Sequence, residues 1–258
     1  MTNKEELRIR DYKTFGLRQE WLDEFLTDPD YFWESSSLGS AQVDGFKAWL
    51  KDAEITNAKN ELTELGSFVK EIKDDEQNLV WEVIVTNLSY NSFIFNWFVN
   101  NIKVGQLFDS KDLEASIKKQ GYGTSGKKTI EKPVAAFMQT CNYSPIGEIL
   151  NYAVDVNGKV VQRNFYEEVT NAGLAYNLYK YGEKRSARYL QVSDFYAETC
   201  ECGPAKTLGV NKATFVSRLR SLNSMNNRVL LAELNMGLDS ITLREDINPL
   251  SCLKALIG

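Results

Sequence analysis

The sequence predicts a mainly α-helical protein with small β wings, built from tandem helix-turn-helix or winged-helix-like units. Apolar residues recur at helical spacing along most of the chain, whereas period-two alternation is confined to its C-terminal part. A short turn followed by an amphipathic helix occurs in residues 38–55, 125–141 and 208–223. We therefore predict three domains: a helix-turn-helix-like unit (1–60), an aromatic-rich helical middle domain (61–150) and a winged-helix domain (151–258).

Composition narrows the possible functions. The 258 residues are 43% hydrophobic and 25% charged, as in a folded globular protein, and the net charge is −5. Histidine is absent, which excludes histidine-based catalytic triads, and the four cysteines lack the spacing of a zinc site. We expect no catalytic residues, no metal and no cofactor. The N-terminus has no signal-peptide pattern and no apolar run could span a bilayer, so we expect a cytoplasmic protein without membrane contact.

The first two domains differ in character. Residues 15–55 have the spacing of two helices separated by a turn, with Asp28-Pro29 ending the first. Residues 52–82 carry nine acids against three lysines, a poor surface for a phosphate backbone. Residues 79–104 are rich in aromatic and aliphatic side chains, which predicts a pair of core helices, although β-branched residues leave a strand possible at 81–86. Helices are also predicted at 112–119, up to Cys141, and in a tyrosine-rich stretch within 160–200.

The C-terminal unit has the most specific local signals. Pro204 suits the first position of a helix, and Gly209 suits a sharp left-handed turn. Asn211 can cap a second helix, whose apolar residues Phe215, Val216, Leu219 and Leu222 form one stripe. Residues 229–234 and 240–244 then resemble two strands joined by a turn, which completes a wing.

Charge in this unit opposes that of the whole chain. Residues 203–231 contain five basic residues and no acid. Cations and hydroxyls that project from a helix are what phosphates and base edges require. The predicted DNA-binding residues are Lys206, Lys212, Thr214, Ser217, Arg218, Arg220 and Arg228. A docking module with a solvated basic face would show the same pattern.

A glycine-rich segment, residues 121–129, approaches the phosphate-binding loop pattern without matching it. Lys128 stands where a hydroxyl should hold magnesium, and the preceding segment is predicted to be helical rather than a buried strand. Its lysines could instead form a polyanion-binding loop, or the segment could be a solvated linker. The residues of the predicted polyanion loop are Lys118, Lys119, Lys127 and Lys128.

Three stretches together resemble a bacterial family of unknown function. The first is Phe15 to Leu22 followed by 38–39 and 46–50; the second is 95–98 with the predicted helix at 129–140; the third is 208–210, 214–215, 238–241 and 248–250. Genes of this family lie beside phosphoadenosine-phosphosulfate-reductase-like genes in clusters for DNA modification, including phosphorothioation, and for phage defence. Where the family has a basic turn, this chain has Ser40-Ala41-Gln42-Val43-Asp44, which argues against DNA contact by the N-terminal unit.

Two hypotheses follow. The first is a non-enzymatic DNA-binding accessory or regulatory protein of a DNA-modification or phage-defence system, with double-stranded DNA and proteins of the same cluster as partners. The second is an interaction scaffold that does not bind DNA and docks a sulfurtransferase-like or ATPase partner through the aromatic middle and the acidic 52–82 surface. The resemblance implies no catalytic residues in either case.

Overall fold

A computed structural model describes residues 7–123, 129–147, 152–154, 160–235 and 239–258. Its α-helices are α1 (Gln19–Thr27), α2 (Pro29–Ser35), α3 (Ser40–Asp52), α4 (Glu64–Ile72), α5 (Gln77–Asn91), α6 (Phe93–Asn101), α7 (Ser110–Lys119), α8 (Glu131–Tyr143), α9 (Asn171–Arg185), α10 (Pro204–Leu208), α11 (Lys212–Ser224) and α12 (Pro249–Ile257). Its strands are β1 (Leu107–Asp109), β2 (Tyr152–Val154), β3 (Val160–Arg163), β4 (Tyr189–Gln191), β5 (Leu230–Glu233) and β6 (Ser240–Leu243). The prediction of a mainly helical protein with small β-sheets is confirmed.

The N-terminal helices surround a cluster of aromatic rings. Asp28 ends α1, and its carboxylate accepts from the Tyr31 amide, which caps α2. Pro29 occupies the first turn of α2, where a missing amide hydrogen costs nothing. Phe25 and Phe32 both pack against Phe46 of α3, with centroids 5.9 and 5.5 Å away. The predicted helix, turn and helix are present, and α2 is an additional short helix between them.

Helices α5 and α6 form the predicted core pair, and the alternative strand at residues 81–86 is wrong. Every residue from Leu79 to Ser89 is buried, so a continuous apolar run here belongs to a helix that is covered on all sides rather than to a strand. The β-branched residues of α5 favour a strand only weakly, and burial within a long helix overrides that preference.

Helix α9 packs directly against α5. A Cβ on Gly173 would lie 1.8 Å from a carboxylate oxygen of Glu82, so the close approach of the two helices requires glycine at this position. Tyr176 and Asn177 donate to Asn87 and Thr86 of α5, at 2.8 and 3.0 Å. The tyrosine-rich helix was predicted within 160–200, but it begins at Asn171, and Phe165 and Tyr166 lie in the preceding segment.

Two antiparallel three-stranded sheets complete the described part of the chain. The first has the order β1-β3-β2 and the second β4-β6-β5. In the second, Ile241 of β6 lies between Leu190 of β4 and Ala232 of β5. The first sheet joins strands from both sides of residue 150, where a domain boundary is predicted; the division into three domains stays a prediction.

No helix in the described ranges is long and apolar enough to cross a membrane. All four cysteines are buried and unpaired. Burial raises the pKa of Cys202 to about 11, and its thiol donates to the Ser89 carbonyl at 3.2 Å. Cys202 therefore behaves as a small core side chain rather than as a reactive nucleophile.

Candidate nucleic-acid interface

The turn between α10 and α11 has the local structure that its residues predict. Gly209 adopts φ 67° and ends α10, and its carbonyl accepts from the Tyr166 amide at 2.9 Å. The Asn211 carboxamide oxygen accepts from the Thr214 amide at 2.9 Å and so caps α11. Val210 is buried between the two helices. The direction in which α11 leaves the turn is therefore fixed by three adjacent residues.

One face of α11 is buried and the opposite face carries its polar residues. Phe215, Leu219 and Leu222 are fully buried as predicted, whereas Val216 is only half-buried. Among the predicted DNA-binding residues of this helix, Lys212, Ser217 and Arg220 are exposed and Thr214 and Arg218 are half-buried. Neither Lys212 nor Arg220 forms an ion pair with any described residue, so both charges are available to a ligand.

Arg218 has an environment that the sequence did not indicate. Burial raises the pKa of both Glu82 and Tyr166, and the nearby positive charge of Arg218 partly opposes that rise. Glu82 is fully buried beneath this region and accepts from the Tyr166 hydroxyl, the Thr170 hydroxyl and the Thr170 amide, at 2.7, 2.5 and 2.9 Å. Burial is the largest effect on this carboxyl and raises its pKa to about 7. Arg218 therefore interacts with a buried group of the protein as well as with the solvent side of α11.

The two predicted DNA-binding residues outside α11, Lys206 and Arg228, precede and follow that helix in the chain. The Lys206 ammonium donates to the Glu198 carbonyl oxygen at 2.8 Å, which holds it beside the end of α10. Arg228 is exposed just before β5, and its carbonyl accepts from the Arg244 guanidinium at 3.1 Å. Together with α11 they give the segment 203–231 cations on the helix and on both sides of it.

Glu167 is an acid at this surface whose position the sequence does not indicate. The side-chain Nδ2 of Asn211 donates to the exposed carboxylate of Glu167 at 3.4 Å, which places a negative charge beside the first turn of α11. Glu167 lies 44 residues before Asn211 in the chain, and no local pattern connects them. A phosphate approaching Lys212 would meet this charge, so Glu167 weakens an anion site at the helix N-terminus.

The hairpin of β5 and β6 is attached to α11 by Asn223. Its side-chain amide donates to the Ala232 carbonyl at 2.5 Å, and its oxygen accepts from the Ala232 amide at 2.9 Å. This reciprocal pair satisfies the amide and the carbonyl of Ala232, in the edge strand β5. It fixes the orientation of the hairpin relative to the helix that carries the cations.

The predicted polyanion loop is described only in part. The Lys118 ammonium donates to Glu131 at 2.6 Å, and this bond is the main cause of its raised pKa; Glu114 lies 3.7 Å away. Lys119 is exposed at the end of α7, and Lys127 and Lys128 lie outside the described residues. Because two carboxylates neutralise Lys118, it offers little charge to a polyanion.

No group of three or more histidine, cysteine or acidic side chains that could hold a metal ion occurs among the residues that the structure describes.

Comparison with known proteins provides a fold relationship. A solved structure described as "SspB crystal structure" matches with a TM-score of 0.71 over 97% of this chain and 87% of that chain, at 14% sequence identity. No family model and no curated protein matches the sequence. At this identity the similarity shows a shared fold over almost the whole chain and nothing of activity.

Proposed function

We propose that this chain binds double-stranded DNA through a C-terminal winged-helix unit, as a non-enzymatic accessory or regulatory protein. The unit comprises α9, β4, α10, α11, β5 and β6 in that order, with the sheet order β4-β6-β5. One observation carries the proposal: the helix after the tight turn, α11, has two exposed cations, Lys212 and Arg220, that form no ion pair within the described residues, while its opposite face packs in the core. In helix-turn-helix proteins this second helix enters the major groove.

The residues divide into two groups by position. Lys212, Thr214, Ser217 and Arg218 lie along α11 and would approach base edges. Lys206, Arg220 and Arg228 lie at the ends and flank of the unit and would contact phosphates. Because Arg218 also interacts with Glu82, we expect Lys212 and Arg220 to contribute more to affinity.

The cellular role that we propose is in a bacterial DNA-modification or phage-defence system, in the cytoplasm. It is supported by the resemblance of residues 15–50, 95–140 and 208–250 to the family found in such gene clusters. The negative charge of segment 52–82 argues against a second DNA-binding surface there. The C-terminal unit is then the DNA-binding part of the molecule.

Salt-titrated binding to duplex DNA tests the proposal. We expect measurable affinity at roughly 50 mM salt that falls steeply as salt is raised, because bound cations release counterions from the phosphates. The double variant Lys212→Ala/Arg220→Ala should bind more weakly and should lower the slope of log affinity against log salt by about 2. Lys59→Ala/Lys111→Ala removes the same charge from exposed sites elsewhere and should change neither quantity. Absence of wild-type binding at low salt would refute the proposal.

A second candidate is an interaction scaffold for a sulfurtransferase-like or ATPase partner. The aromatic helices α5 and α6 are buried and offer no surface for it. The sheet β4-β6-β5 offers an exposed surface instead. Tyr189, Thr242 and Leu231 are paired across its strands, and the side chains of Tyr189 and Leu231 are 59% and 48% exposed. Co-expression with the neighbouring gene products, using Leu231→Lys as the disrupting variant, tests this alternative. A partner retained by wild type and lost in the variant would support it.

A further inference from the structure

A cavity of about 510 Å³ lies beside the turn of the C-terminal unit. The end of α6, the segment around Arg163 and Phe165, the 3₁₀ turn Val192–Tyr196 and the end of α10 form its wall. Gly209 and Val210 also line it, so the cavity ends one residue before the cap of α11. Any ligand in it would therefore be next to the helix proposed to contact DNA.

Two aromatic rings of the wall are open to solvent. Phe165 is 46% exposed and Tyr196 is 37% exposed, whereas the neighbouring Phe195 is buried. Tyr196 is held edge-on against Phe215 of α11, with centroids 6.2 Å apart, and its hydroxyl donates to the Val210 carbonyl at 3.4 Å. The Tyr196 ring therefore has a fixed orientation, and exposed aromatic rings are platforms on which a flat, aromatic ligand can stack.

The charge of the cavity favours an anionic ligand. Lys103 and Lys206 lie in its wall on both sides of Glu198: Lys103 pairs with the carboxylate at 2.9 Å, and Lys206 donates to the carbonyl at 2.8 Å. Arg163 is buried and donates to the carbonyls of Val99, Ile102 and Lys206, which fixes the end of α6 to α10. Among the described residues, the wall of the cavity thus carries three cations and one acid, and the rest of it is partly apolar.

We propose that this cavity binds one unpaired nucleotide of a DNA strand, with the base against Phe165 and Tyr196 and a phosphate near Lys103 and Lys206. The inference rests on the proposed function for the presence of a DNA strand at the adjacent helix. A cavity of about 510 Å³ accommodates a single base with its sugar. Stacking of bases on aromatic side chains, combined with a positive groove, is the general means of binding unpaired nucleotides. The nucleotide can come from a single strand or from a base displaced out of a duplex.

The test compares two single strands of the same charge. One strand of about 12 nucleotides carries bases and the other has abasic sites at its central positions. We expect wild type to bind the first about tenfold more tightly. Phe165→Ala should remove the preference and Phe165→Trp should keep it. Tyr196→Leu, in a separate segment of the wall, should weaken it independently. Tyr31→Ala, an exposed tyrosine of α2, should leave it unchanged.

Equal affinity of wild type for the two strands, or a preference that survives Phe165→Ala, would overturn the inference. A duplex with one bulged nucleotide, compared with the same duplex carrying an abasic bulge, distinguishes the two sources, since a base preference there requires a displaced base. Affinity for the intact duplex, measured in parallel, separates this inference from the proposed function. Duplex binding without a base preference refutes the cavity site alone, and a base preference without duplex binding refutes the duplex function alone.

Discussion

Glu82 is a carboxyl group placed fully inside the protein. Two hydroxyls and one amide donate to it, which favours the charged form, but burial opposes this effect and raises its pKa to about 7. In the unfolded chain the same group titrates near its ordinary value. Between the pKa of Glu82 in the unfolded chain and its pKa in the folded protein, the folded protein holds a proton that the unfolded chain has lost. The free energy of unfolding therefore decreases as pH rises towards and through the folded pKa.

We therefore predict that the free energy of unfolding falls by about 1.4 kcal/mol between roughly pH 6 and pH 8 because of Glu82. With no histidine in the chain, few other groups titrate here. Asp52, which burial raises to a pKa of about 6, acts in the same direction mainly at lower pH. Urea unfolding of Glu82→Gln should show a flatter pH dependence, whatever its absolute stability, and Glu71→Gln should retain the wild-type slope. Equal slopes for all three proteins would contradict this assignment.

Glu167 places a negative charge at the start of the proposed recognition helix through Asn211. We predict that Glu167→Gln raises duplex DNA affinity about twofold at low salt, since an exposed unit charge near a phosphate contributes only tenths of a kcal/mol in water. The gain should shrink as salt is raised. Fluorescence anisotropy measures this gain in affinity. Glu20→Gln, which removes an exposed acid from α1, is the control. Weaker binding by Glu167→Gln would show that the acid supports the interface.

Among the elements, α11 and the β5–β6 hairpin act as one unit because Asn223 joins them. Removing this side chain leaves the Ala232 amide and carbonyl without their partner. We predict that Asn223→Ala lowers the free energy of unfolding by about 1–3 kcal/mol. Asn226→Ala, an exposed asparagine two residues beyond α11, should have almost no effect. Chemical denaturation compares the two variants. A loss of unfolding free energy in Asn223→Ala no greater than that in Asn226→Ala would argue against a stabilising role of the Asn223–Ala232 hydrogen bonds.

The elements that could be predicted from the sequence are those with local causes. The turn at Gly209 and the cap at Asn211 follow from backbone conformation and one side-chain bond within three residues. The sequence does not predict strands β1, β2, β3 and β4, because each has only three or four residues and β1 and β4 pair with distant segments. The same holds for the candidate site: exposure of Lys212 was predictable from helical spacing, whereas the neighbours Glu82 and Glu167 are brought there by tertiary packing.

At the scale of the whole molecule, α9 connects the C-terminal unit to the rest of the protein. Residues from Ala172 to Gly182 are all buried, including Lys180, whose ammonium pairs with Glu54 at 2.6 Å. Asn87 of α5, which accepts from Tyr176 of α9, itself donates to the Ala53 carbonyl at 2.9 Å. A helix that is buried on all sides belongs to the core rather than to the surface. The proposed winged-helix unit thus shares its first helix with the central core.

This arrangement gives a prediction for the domain boundary suggested by the sequence. Expressed alone, residues 151–258 should lack cooperative thermal unfolding and give poorly dispersed amide resonances, because α9 would expose the side that packs on α5 and would leave Lys180 and Tyr176 without partners. The full chain under the same conditions should unfold cooperatively. Circular dichroism and a heteronuclear amide spectrum of both proteins measure the difference. A fragment with a sharp transition and dispersed resonances would instead establish an autonomous domain, and α9 would then be able to fold without the core that covers it here.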